Sequence, residues 1–318
     1  MSAQVADISR EDGSRKFWTD AFAIRGSVTG RVSRRVLTFG MIALIVTAIN
    51  ELSVHITLGI EVAPYEVAGA ALGALLVLRT NAGYDRWWEG RKLWGAIVNQ
   101  SRNLVISALA YGPEDPDWRE RVVRWAAAFP HVIRHSLRGE RNMPRVKAVL
   151  GDEQTAIVAG AEHMPSYVAL RLAEIFREAL DRPTIDRLAF LQSEMARGLL
   201  VDHYGACERI LKTPLPRAYA INIRRFIFLF LASLPFALLD KIGWLTPIVT
   251  ILIAYPILSL DDIGAELQNP FGPQNIGHLP LDGICANIES NLFGLLGKRP
   301  GIAEIGTTDE LQGLESST

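Results

Sequence analysis

Apolar residues gather in four runs along this chain, and each run is bounded by charge. Val36 to Asn50 and Pro64 to Leu78 hold fifteen residues each, Phe226 to Leu239 fourteen, and Ile242 to Leu260 nineteen. A bilayer core of about 30 Å needs about 20 residues of helix, so by a strict hydropathy criterion only the last run spans on its own. The flanking charges group the runs in pairs. Arg31, Arg34 and Arg35 precede the first, and Arg79, Arg86, Arg91 and Lys92 follow the second. The connection between those two carries Glu51, His55 and Glu61 and neither Lys nor Arg. Arg217, Arg224 and Arg225 precede the third run, and Lys241 is the one basic residue between it and the fourth. The positive-inside rule turns this alternation into two outward-facing membrane hairpins, with both termini on the cytoplasmic side of an inner (plasma) membrane.

Outside the hairpins the period changes to that of packed amphipathic helices. Trp118 to Arg138 places Val122, Trp125, Phe129, Val132, Ile133 and Leu137 at helical spacing against an Arg-rich face. Residues 166–180 and 185–204 repeat the pattern, and Thr213-Pro-Leu-Pro216 marks the return to the membrane. The expected division is an N-terminal segment 1–30, a first hairpin 31–94, a helical region 95–216, a second hairpin 217–260, a helical segment 261–300 and a mobile tail 301–318 rich in Gly, Thr, Ser and acid. The fold class is all-α, with four transmembrane helices and a cytoplasmic helical bundle.

Composition narrows the function. Hydrophobic residues make up 49% and charged ones 21%, with a mean hydropathy of +0.17, which suits a chain part membrane and part aqueous. A net charge of −1 argues against a nucleic-acid binder. The N-terminus is polar through Lys16, so no cleaved signal peptide is expected. Cys207 and Cys285 stand alone, without zinc-ligand spacing, and read as buried structural thiols. His131 and His135 share a helix face but lack the Glu of a zinc-protease motif. With no Gly-x-Ser-x-Gly, P-loop or dinucleotide fingerprint, neither an enzyme, a metal site nor a cofactor is implied.

The junction after the second run, Thr80-Asn-Ala-Gly-Tyr-Asp-Arg-Trp-Trp-Glu-Gly90, changes abruptly from lipid-like to interfacial chemistry. Asp85, Arg86 and Glu89 read there as a salt-bridge and hydrogen-bond network, and Trp87 and Trp88 as an interface belt or subunit contact. A second signature, Leu260-Asp-Asp-Ile-Gly-Ala-Glu-Leu-Gln-Asn-Pro-Phe-Gly272, ends the fourth run. Asp261, Asp262 and Glu266 can cap that helix or pair with Arg79, Arg86 or Arg91. Together with Cys207-Glu-Arg-Ile-Leu-Lys-Thr-Pro-Leu-Pro216, these motifs make the chain from about Phe17 to Leu296 resemble the prokaryotic branch of the bestrophin family.

The resemblance implies a homopentamer in the lipid bilayer, with one central pore passing small monovalent ions. By family default these are chloride or other anions, with monovalent cations as the alternative and a non-conducting membrane scaffold as a second. It also implies a hydrophobic neck, which falls here on Ala70, Ala74 and Leu78, with Glu66 above them at the outer mouth. Two of the three neck positions are small, unlike the family's usual bulky residues, while Leu78 can close a ring. Without the resemblance, the same face is suited to close helix packing through Gly69, Ala70, Gly73 and Ala74. Glu66 reads equally as a carboxylate ring that attracts cations or as an acid complementing a helix N-terminus after Pro64. A cytoplasmic constriction falls on Ile185 or Leu188. Residues 273–282 supply one carboxylate, Asp282, where calcium takes six to eight oxygen ligands, so a calcium clasp is not expected.

Overall fold

The computed structural model of the protein describes residues 19, 21, 23, 26–52, 59–182 and 184–297. The N-terminal residues to Lys16, His55 in the first connection and the tail 301–318 lie outside them. Among the described residues all regular structure is helical. The order is α1 (Thr29–Leu52), α2 (Ala63–Tyr111), α3 (Pro116–Arg138), α4 (Pro144–Leu150), α5 (Asp152–Gly160), α6 (Met164–Asp181), α7 (Arg187–Lys212) and α8 (Arg217–Ile242). A 3-10 turn (Gly243–Leu245), α9 (Thr246–Glu266) and α10 (Leu281–Leu295) follow.

The helices form two compact units, one from residues 1–90 and 210–279, the other from 91–209 and 280–318. The division falls inside α2, which runs unbroken for 49 residues through the Tyr-Asp-Arg-Trp-Trp junction. The sequence-based boundary at 94/95 therefore lies within one helix, and that at 260/261 lies within α9.

In the first unit, α1, the start of α2, α8 and α9 bury Val36, Phe39, Leu72, Leu76, Ile227, Leu231 and Leu258 against one another. Burial of apolar groups contributes little to holding helices together in lipid, whose tails are as apolar as Leu, so close approach matters more. At Gly40 a Cβ would lie 2.7 Å from the Ile251 side chain, which brings α1 close against α9. Among the described residues, two stretches, Thr29–Leu52 and Arg217–Glu266, are long and apolar enough to cross a membrane. This corrects the expectation that only the fourth run would qualify. The first run gains length because α1 begins at Thr29 and carries Arg31, Arg34 and Arg35 within it. The fourth run starts later than expected: α8 continues through Ile242, Gly243 breaks it at φ 49°, and α9 begins at Thr246 with Pro247 in its first turn.

In the second unit, α3 packs on α4, α6 and α10. Asp115 caps it by accepting a hydrogen bond from the Asp117 N–H at 3.0 Å, and Gly139 ends it at φ 70°. All six apolar positions predicted to face inward on α3 are buried. The Trp118 indole donates to the Ile175 carbonyl at 3.0 Å and meets the Phe176 ring edge-on. The Arg-rich face is not uniformly solvated: Arg134 is buried and the Arg138 side chain is 7% exposed, because Asp282 at the start of α10 forms an ion pair with each.

Candidate functional site

Helix α2 has two faces with different fates. Leu72, Leu76, Arg79 and Gly83 point into the first unit. Glu66, Ala70, Ala74 and Leu78, spaced at four, drift around the opposite face, and all four are exposed in the single chain. A Cβ added at Gly73, among them, would meet nothing within 4 Å, whereas one added at Gly69, a turn earlier, would lie 3.3 Å from the Phe230 ring. The small-residue packing surface inferred from sequence thus divides in this chain: Gly69 abuts α8, and the Ala70, Gly73, Ala74 side is uncovered.

At its N-terminal end α2 carries Glu66 in its first turn, where the carboxylate complements the positive end of the helix. The same residue lines a cavity of about 540 Å³ with Glu61, Asp240 and Lys241. Three acids and one lysine give this mouth a negative balance.

The junction motif works mainly through backbone capping. Arg86 donates to the Thr213 carbonyl at 2.8 Å, to the Gln268 carbonyl at 3.2 Å and to the Ile210 carbonyl. Its guanidinium therefore satisfies orphan carbonyls at the ends of α7 and α9. Glu89 lies close enough to interact with its charge, while Asp261, Asp262 and Glu266 are engaged elsewhere. Arg79 pairs with Asp261, Arg224 with Asp261 at 3.2 Å, Arg31 with Asp262 at 3.2 Å and with Glu266, and Arg35 with Asp262 at 3.6 Å. Of these contacts only Arg79 to Asp261 was foreseen. Trp87 donates to the Gly277 carbonyl at 2.7 Å, and Tyr84, Trp87 and Trp88 stack, with centroids 6.1 to 6.5 Å apart. Asp85 and Trp88 are exposed. The Asn269-Pro-Phe-Gly turn, held by Asn275 donating to the Asn269 carbonyl at 2.8 Å, seats Pro270 and Phe271 against Gly90, where a Cβ would lie 3.0 Å from Pro270. The two sequence signatures meet there.

The two candidates for a cytoplasmic constriction separate sharply. Ile185 precedes α7 and is 6% exposed; Leu188, in the first turn of α7, is 76% exposed. Leu188 begins a stripe with Leu191, Met195 and Leu199, all uncovered.

The second unit also buries a polar cluster. His131 contacts Glu289 at 2.8 Å, and Arg145 reaches the same carboxylate at 3.3 Å. His135 contacts Glu140 at 2.8 Å and also the Arg134 guanidinium. Burial, reinforced by the Arg134 charge, pushes His135 down to about 4, so it stays neutral. Burial raises the Asp282 carboxyl, but Arg138 and Arg134 outweigh it and hold Asp282 below the ordinary carboxylate range. Burial pushes the Cys285 thiol up to about 12, which leaves it protonated and unreactive. Cys207 is also buried.

The sequence model of the family described as Bacterial/Fungal Bestrophin protein matches residues 8–293. A voltage-dependent anion channel-forming protein of Nostoc sp. is 31% identical over 305 residues, covering 94% of this chain and 98% of the relative. A protein of the same description from Ralstonia nicotianae is 34% identical over 279 residues, covering 87% of this chain and 90% of that one. The crystal structure of a bacterial bestrophin homolog from Klebsiella pneumoniae is similar, with a TM-score of 0.76 and 29% identity, covering 86% of this chain and 100% of that one.

Proposed function

Because this chain belongs to the bacterial and fungal bestrophin family, we propose that copies of it, five by the family resemblance, surround one axial pore that passes small monovalent anions such as chloride through the membrane. The observation that carries this reading is the outward face of α2. Glu66, Ala70, Ala74 and Leu78 have no cover from their own chain, while the opposite face of the helix is packed into it. Repeated about an axis, that face makes a path with small side chains at two levels and a Leu78 ring below them, which can gate by dewetting. On this reading α1, the first part of α2, α8 and α9 cross an inner membrane with both termini cytoplasmic, and Leu188 forms the cytoplasmic constriction. The description of the Nostoc and Ralstonia relatives as anion channel-forming supports the choice of ion.

One observation favours a second reading. Glu66 shares its cavity with Glu61 and Asp240, and several copies of that mouth attract sodium or potassium and repel chloride. Reversal potential in planar bilayers under a KCl gradient, for the native protein and Glu66→Gln, decides between them. Reversal near the chloride potential upholds the anion channel. Reversal near the potassium potential, weakened in the variant, makes Glu66 a cation ring. No current in either leaves a membrane scaffold.

A further inference from the structure

The arginines at the N-terminal ends of α1 and α8 exceed the acids that face them. Asp261 is shared by Arg79 and Arg224, and Asp262 by Arg31 and Arg35, while Glu266 takes Arg31. Arg225, the next residue round α8, is exposed and makes no ion pair with a described residue. Four arginines of α1 and α8, Arg31, Arg35, Arg224 and Arg225, together with Arg79 of α2, thus stand against three carboxylates. Arg35 and Arg224 keep side-chain exposures of 54% and 56%, so donors remain free after their ion pairs are made.

The surface beneath this charge is apolar. Arg35, Arg224 and Asp261 rim a cavity of about 250 Å³ floored by Phe39, Phe228 and Leu258. The rings of Phe39 and Phe228 lie 6.2 Å apart there. Alongside it, Ile221, Phe228 and Leu229 form a groove of about 540 Å³ topped by Arg224 and Arg225. An excess of guanidinium above an aromatic and aliphatic trough matches an anionic headgroup joined to acyl chains.

We infer that this groove along α8, with the adjoining cavity between α1, α8 and α9, binds an anionic phospholipid, its phosphate on Arg224 and Arg225 and its chains along Phe228 and Leu229. Guanidinium forks hold phosphate bidentately, and basic pockets between membrane helices favour anionic lipids. A free phosphate would leave Phe228 and Leu229, 57% and 64% exposed, without a partner. A second copy of the chain would have to bring Arg225 a carboxylate, and the acids at this level, Asp261, Asp262 and Glu266, are already engaged. The inference does not depend on conduction.

The test uses the full-length protein in bilayers of equal parts phosphatidylcholine and phosphatidylglycerol, with spin-labelled phosphatidylglycerol and spin-labelled phosphatidylcholine as probes. The native protein is expected to immobilise the anionic probe preferentially. Arg225→Gln should lower that preference about five-fold, Arg35→Gln should lower it in the same direction, and Arg225→Lys should keep most of it. Arg34→Gln, on another side of α1, should leave it unchanged. Equal immobilisation of the two probes by the native protein overturns the inference, as does a preference indifferent to Arg225 and Arg35. Displacement of the lipid probe by inorganic phosphate would make the site one for free anions. Dissociation of the assembly in Arg225→Gln would make the arginine a contact between copies. Either of those results also overturns it.

Discussion

Gly83 of α2 and Gly264 of α9 meet backbone to backbone: a Cβ on Gly83 would stand 3.1 Å from the Gly264 carbonyl oxygen and 3.1 Å from the Leu267 Cβ. Neither neighbour is the tip of a flexible side chain, so Gly83→Ala must push the helices apart, at a cost of about 1–3 kcal/mol. At Gly73 the added methyl meets open space, and Gly73→Ala should be neutral or gain up to ~1 kcal/mol of helix propensity. Thermal unfolding in detergent should therefore rank Gly73→Ala above Gly83→Ala. Equal losses would mean that the Gly73 face is covered in the assembled protein.

Arg79 and Asp261 are both nearly inaccessible, with side-chain exposures of 1% and 4%. Removing one buried partner strands the other charge, so Asp261→Asn should cost ~3–5 kcal/mol. Asp262→Asn faces the half-exposed Arg31 and Arg35 and should cost no more than about 1 kcal/mol. Melting temperatures of the two variants side by side check the contrast.

Ala74→Phe places a ring on the uncovered face of α2. Single-channel recording should show conductance reduced several-fold with no loss of thermal stability. Native current through a well-folded Ala74→Phe protein would remove this face from the pore.

Ile185 and Leu188 should respond in opposite ways to truncation. Ile185→Ala opens a cavity in the second unit and should cost about 2–5 kcal/mol while leaving ion selectivity unchanged. Leu188→Ala should change stability by no more than about 0.5 kcal/mol and alter conduction. Selectivity that follows Ile185 instead would reverse the assignment.

Acid should loosen the second unit in two stages. His135 titrates near 6.5 when unfolded and near 4 when folded, so between those values the unfolded chain binds the extra proton and stability falls as pH falls. The loss over that window is on the order of 2–3 kcal/mol. Asp282, depressed by Arg138 and Arg134, begins to lose its contribution only near and below the ordinary carboxylate value. His135→Asn should flatten the first stage and keep the second, as read by the pH dependence of urea unfolding.

Much of this was legible where one helix face decides the outcome. The six positions of α3 are buried because a period of 3.6 says which side chains share a side. The uncovered run Glu66, Ala70, Ala74, Leu78 follows from the same arithmetic. The length of α2 was not legible: the change from lipid-like to interfacial chemistry at the junction suggested a boundary at 94/95, whereas Gly83 and Gly90 let the helix run on through close approach to Gly264 and Pro270. Arg134 and Arg138 read as a solvated face because Asp282, which justifies their burial, lies more than 140 positions along the chain. Arg86 shows the same limit: its carbonyl partners depend on where other helices stop, which no local pattern records.

The Arg79 to Asp261 pair also sets a schedule for biogenesis. Its members are 182 positions apart, and synthesis at about 5–20 residues per second separates them by roughly ten to forty seconds. Through that interval α1 and the start of α2 have been made while Arg79 still lacks its counter-ion. The nascent chain must leave that arginine hydrated, or lend it a lipid phosphate, until the last long helix emerges and releases it.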